Sequence, residues 1–158
     1  MGLSYESKLI VGTKLDLEHL LNKSFLENIF NGILKNYDYK NNGFGELQVY
    51  LIKYNNVVDI KKIKKYINED FLNLVLECFI EFENFAITTT FSHPYNDDVI
   101  YHLTILYPGG KDIINIKDMA EFLIECNSDA NLEIYNKCLI QLNQPITRPT
   151  IYSVAHIW

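Results

Sequence analysis

Residues 85–107, FAITTTFSHPYNDDVIYHLTILY, constrain this chain more than any other stretch. Apolar Phe85, Ile87 and Phe91 alternate with polar Thr88, Thr90 and Ser92. After a turn-rich break the odd positions are apolar or aromatic again, in Val99, Tyr101, Leu103, Ile105 and Tyr107. Residues of one parity share a strand face. The stretch therefore predicts a β-hairpin with a greasy odd face and a polar even face carrying His102, Thr104 and the threonines. If both odd sets face one core, paired residue numbers must sum to an even value. A loop centred on Pro94–Asp98 sets Thr90 opposite His102 and Thr88 opposite Thr104.

The rest of the chain supplies elements around this hairpin. Residues 7–12 read as a short strand, and Asp16 as the N-cap of a helix over about 17–36 with leucines, isoleucines and phenylalanines at three- and four-residue steps. Residues 46–54 alternate like a strand, with Leu47, Val49 and Leu51 on one face. Asp59 caps a lysine-rich helix over about 60–67. Residues 71–83 fit both periods, and the alternation of Leu76, Cys78, Ile80 and Phe82 with glutamates favours strand for the second half. Asn115 caps a helix over 116–126, with Ile116, Met119, Ala120, Leu123 and Cys126 on one face, and Asp118 three residues after the cap resembles a capping box. Leu132, Ile134, Cys138, Ile140 and Leu142 alternate like a long half-exposed strand, and 150–157 read as a final one. The sum is an α+β fold over residues 1–158 as a single domain: one mixed, mainly antiparallel sheet with about three helices packed on it.

Composition narrows the function. The 158 residues carry a net charge of −6, which argues against a nucleic-acid binder. The run Lys61-Lys62-Ile63-Lys64-Lys65 reads as the solvated face of a helix. No apolar run approaches the ~20 residues of a membrane span, and the first residues lack the pattern of a secretion signal, so a cytoplasmic protein is expected. Cys78, Cys126 and Cys138 sit in apolar patterns and read as buried thiols. No cofactor or metal site is expected: the four histidines are far apart, and Asn96-Asp97-Asp98 is shorter than a calcium loop. Heavy use of Asn, Ile and Lys fits an AT-rich bacterial or phage genome.

His102-Leu103-Thr104 within a strand resembles one half of the signature of the 2H phosphoesterases, which use two His-x-Thr/Ser motifs on neighbouring strands. The resemblance implies His102 as general acid or base on a phosphodiester and Thr104 as phosphate ligand. The second motif is missing: His156-Ile157-Trp158 has Trp where a hydroxyl is needed, and His93-Pro94-Tyr95 and His19-Leu20-Leu21 depart too.

The expected function is therefore a non-catalytic protein-binding inhibitor, such as an immunity protein, an antitoxin or a phage or mobile-element anti-defence protein. Its acidity would complement a basic toxin or nucleic-acid-handling protein and speed their encounter. The expected binding residues are Glu77, Glu81 and Glu83, Tyr95, Asp97 and Asp98 of the hairpin loop, and Trp158. The alternative is a small 2H-like phosphoesterase or nucleotide-binding enzyme built on His102 and Thr104.

Overall fold

The computed structural model describes residues 5–20, 22–33, 44–53, 60–63, 65–77, 84–93, 96–110 and 115–157. Strand β1 (Tyr5–Lys14) leads into α1 (Leu17–Leu20) and α2 (Lys23–Asn28), which runs on as a π turn over Ile29–Ile33. Helices α3 (Gly45–Lys53), α4 (Ile60–Ile63) and α5 (Glu69–Glu77) follow. The hairpin is β2 (Phe85–His93) and β3 (Asn96–Ile105), then come α6 (Ile116–Cys126), α7 (Asp129–Gln141) and β4 (Thr150–Ile157). The four strands form one sheet in the order β2-β3-β1-β4, antiparallel at every junction rather than mixed.

The hairpin forms with the expected parity, but its register lies two residues from the expected one. Thr88 faces His102 and Ala86 faces Thr104, with an irregularity between Phe91 and His93 near the turn. Odd-numbered Ile87, Tyr101 and Leu103 join the main core, which they share with Leu26, Phe30, Leu47, Phe71, Val75, Tyr135 and Leu139 from the helices. Val11 joins Met119, Phe122 and Cys126 of α6 in a second cluster. Asparagines fix two of the helices. The Asn115 side chain accepts from the Asp118 amide at 2.8 Å, the expected N-cap, and donates to the Asp118 carboxylate at 2.9 Å, so Asp118 answers the cap through the Asn115 side chain. Asn73 of α5 accepts from the Ile87 amide at 2.9 Å, which covers part of the outer edge of β2.

Two expected strands are helices. In α3, Leu47 and Leu51 are buried one turn apart while Val49, the residue between them, is exposed. In α7, Tyr135, Cys138, Leu139 and Leu142 are fully buried at helical steps, whereas Ile134 and Ile140 of the apparent alternation face outward. The long helix expected over 17–36 is broken: Asn22 caps a fresh start at Lys23 by accepting from the Ser24 amide, and the Asp16 carboxylate caps α1 through the Glu18 amide. The lysine-rich helix keeps only Ile60–Ile63 before a turn, and residues 71–77 are helical throughout. The proposed strand over 78–83 lies outside the described residues, as does Cys78.

The sheet is strongly curled. Strands β2 and β4 come into contact although two strands separate them in the ladder order. Between them, Gly12 lets β1 lie close against β3: a Cβ there would sit 2.1 Å from the Leu103 carbonyl oxygen. The curl closes the even face on itself, so Val154 of β4 is fully buried and Tyr152 lies over the hairpin. At the far end of the core, Gln144 accepts from the Asp16 amide at 2.7 Å and donates to the Asp16 and Leu142 carbonyls, each at 3.1 Å. Asn143, at φ 54°, ends α7 in the left-handed conformation that such caps use.

Candidate functional site

The even face of the hairpin holds the residues the sequence singled out for chemistry. It is not an open ridge of hydroxyls. His102 is 4% exposed and Thr104 5%, both inside the curled sheet. The imidazole packs against the Tyr152 ring at 4.7 Å, with Thr88 opposite on β2 and Lys14 opposite on β1. Its Nδ1, and the Oγ1 of Thr104, have no hydrogen-bond partner among the described residues. Burial, and then the positive charge of Lys14, hold the His102 pKa below the ordinary histidine value. The imidazole is thus buried beneath an aromatic ring. General acid–base chemistry needs the histidine within hydrogen-bond reach of the reacting group.

The binding residues named from sequence are placed only in part. Glu77 closes α5, and Asp97 and Asp98 fall in the first turn-side residues of β3. The side chains of these three, and all of Glu81, Glu83, Tyr95 and Trp158, lie outside the described residues. Among the described residues, no group of three or more His, Cys, Asp or Glu side chains could hold a metal ion. Nor is any helix long and apolar enough to cross a membrane. Cys126 and Cys138 are buried, and burial pushes both thiols up to about 12, so neither is a nucleophile at neutral pH.

The surface features that stand out belong to α6. Its inward face is Met119, Phe122 and Cys126. One flank carries Ile116, Ala120 and Ile124 at four-residue steps; Ile116 is 84% exposed and Ile124 73%. The other flank carries Asp118, Glu121 and Glu125, which with Tyr107, Pro108 and Phe122 line a hollow of about 360 Å³. A larger cavity of about 450 Å³ adjoins it, between α6 and β1, and Thr104 lies in its wall. The sequence pattern placed α6 correctly but set Ile116 and Ala120 on one face with Met119, Leu123 and Cys126; Met119 and Cys126 are buried, whereas Ile116 and Ala120 are exposed and line up with Ile124 at four-residue steps. The cavity was not legible in the sequence, because it depends on where β3 parts from β1.

No family model matches the chain, and no curated protein or solved structure matches it either.

Proposed function

We propose that this chain is a non-catalytic protein-binding domain that inhibits its target, in the manner of an immunity protein, an antitoxin or an anti-defence protein of a phage or mobile element. The observation that carries this reading is the outer flank of α6. Scattered exposed apolar residues are ordinary on any protein surface. Three apolar residues aligned over two helical turns, two of them isoleucines almost fully open to water, are a costly arrangement unless something covers them. Carboxylates on the opposite flank add a charge pattern, and the net charge of −6 favours a basic target. Interfaces of this kind place apolar anchors beside a polar rim.

The burial of His102 bears on the alternative. A phosphoesterase built on His102 and Thr104 needs both to reach substrate; the burial of His102 beneath Tyr152 counts against that reading, whereas Thr104, though buried, lies in the wall of the cavity beside β1. The reading of a basic toxin or nucleic-acid-handling protein as the partner rests on charge.

The test is a pull-down from host lysate with tagged wild-type protein and with an Ile116→Lys/Ile124→Lys variant. Both substitutions lie on exposed positions and should leave folding intact. The expected result is a discrete partner retained by the wild type and lost by the variant. Retrieval of no partner, together with turnover of a cyclic nucleotide by the pure protein, would overturn the proposal.

A further inference from the structure

Strand β1 has two neighbours over only part of its length. It pairs with β4 from Tyr5 to Gly12, but with β3 only from Val11 to Lys14. The Leu15 amide donates to the Tyr101 carbonyl at 2.8 Å, so odd-numbered residues here turn their backbone groups toward β3. By the same alternation Leu9 and Ser7 present their N–H and C=O groups to that side. There β3 has already left. The Leu106 amide donates at 2.8 Å to Asn84, on the β2 side, and Pro108–Gly110 turns the chain away with Gly109 at φ 81°.

The space left behind is the 450 Å³ cavity, within the range of ligand-binding clefts. One wall is Lys8–Val11 of β1; the others include Tyr107, Phe122 and Glu125. Two independent features point to an occupant. A strand edge whose odd-numbered main-chain groups have no strand partner among the described residues faces the cavity, and the buried Thr104 hydroxyl, likewise without a partner among the described residues, lies in its wall. A strand edge flanked by a helix is the arrangement in which proteins capture an extended segment by adding it to a sheet.

We propose that an extended segment of the partner protein enters here as an added strand along Ser7–Leu9; this rests on the protein-binding reading above. Main-chain hydrogen bonds to the odd-numbered residues of β1 would hold it. An apolar side chain would fill the side of the cavity lined by Val11, Ile105, Phe122 and Cys126. Its neighbours in the strand would point the other way along the groove. The acidic flank of α6, Asp118, Glu121 and Glu125, fits a segment carrying lysine or arginine next to its apolar anchors. Lys8 stands on the opposite wall and disfavours a basic residue at that end only.

The test begins with random dodecapeptides displayed on phage and selected on the immobilised protein. Enriched sequences are then synthesised and titrated into ¹⁵N-labelled protein. The expected peptides alternate apolar with Lys or Arg, and their amide shifts centre on Leu9, Tyr107 and Phe122. Leu9→Pro removes the amide facing the cavity while the even-numbered residues keep their bonds to β4. It should weaken peptide binding about tenfold, the worth of one main-chain hydrogen bond. Should that variant misfold, a Glu121→Lys/Glu125→Lys variant and peptides N-methylated at alternate amides test the same groove, and each should also bind markedly less. Failure to enrich any sequence, enrichment of acidic peptides, or shifts confined to other surfaces would overturn the inference. A pull-down partner that is lost with Ile116→Lys/Ile124→Lys but retained by both groove variants would overturn the groove alone and leave the protein-binding reading standing.

Discussion

Replacing His102 by leucine should leave the protein about as stable as before at pH 7.5, or more stable. The imidazole is 4% exposed and its Nδ1 lacks a partner among the described residues. An unpaired buried polar atom costs about 1–3 kcal/mol. The contact with the Tyr152 ring, worth about 0.5–1.5 kcal/mol beyond area burial, is lost in the variant. Leucine fills a similar volume without a polar atom, so the net change should lie between about −0.5 and about 2.5 kcal/mol in favour of the variant. The pH dependence sharpens the test. Burial and Lys14 lower the His102 pKa in the folded protein, so the unfolded chain binds the proton first. The neutral imidazole therefore costs no stability above the unfolded pKa of about 6.5. Stability is lost as pH falls from there toward the folded value. From pH 7.5 to 5.5 that loss is at most about 1.4 kcal/mol for one group, and the leucine variant should lack it. Urea denaturation of both proteins at both pH values measures each quantity. A variant more than about 1 kcal/mol less stable at pH 7.5, or one with the wild-type pH slope, would refute the reasoning.

Three further outcomes follow from the packing. Gly12→Ala would force a Cβ to within 2.1 Å of the Leu103 carbonyl and should cost about 3 kcal/mol in thermal melts, while Gly32→Ala, with nothing within 4 Å, should gain about 0.5–1 kcal/mol. Gln144→Ala removes two hydrogen bonds that tie the end of α7 to Asp16 and a third to the Leu142 carbonyl, and should cost about 2 kcal/mol in urea denaturation. Cys126 and Cys138, their thiols raised to about 12, should stay unmodified by a thiol reagent at pH 8 until denaturant is added, as peptide mapping by mass spectrometry would show.

How much of this was legible in the sequence depends on which residues one reads. The hairpin, α6 and β4 were legible because their signals are local: strict alternation in the strands, and Asn115 with Asp118 at the helix start. Helices α3 and α7 were not. In each, enough apolar residues fall on both faces to mimic a period of two, and only tertiary packing decides which are buried: Leu47 and Leu51 but not Val49, Leu139 but not Ile140. The hairpin register missed by two because the strands close at the pair His93↔Asn96, ahead of a loop centred on Pro94–Asp98, and the irregularity between Phe91 and His93 shifts the pairing back by only one residue. The polar even face was visible as a pattern, but its burial was not. That burial comes from β4 folding over it, a contact between segments far apart in the chain. The cavity beside β1 was hidden for the same reason.

The pairing of β1 with β4 has a consequence for how the chain reaches this state. Tyr5 lies opposite Ile157, so the ladder joins the two most distant described segments of the sequence. Closing so long a loop costs entropy before any bond between the strands forms. The hairpin, by contrast, closes a short loop and can form early. The curl over His102 should thus be a late event in folding, with both the imidazole face and the lone edges of β1 and β4 open to other chains until it is complete.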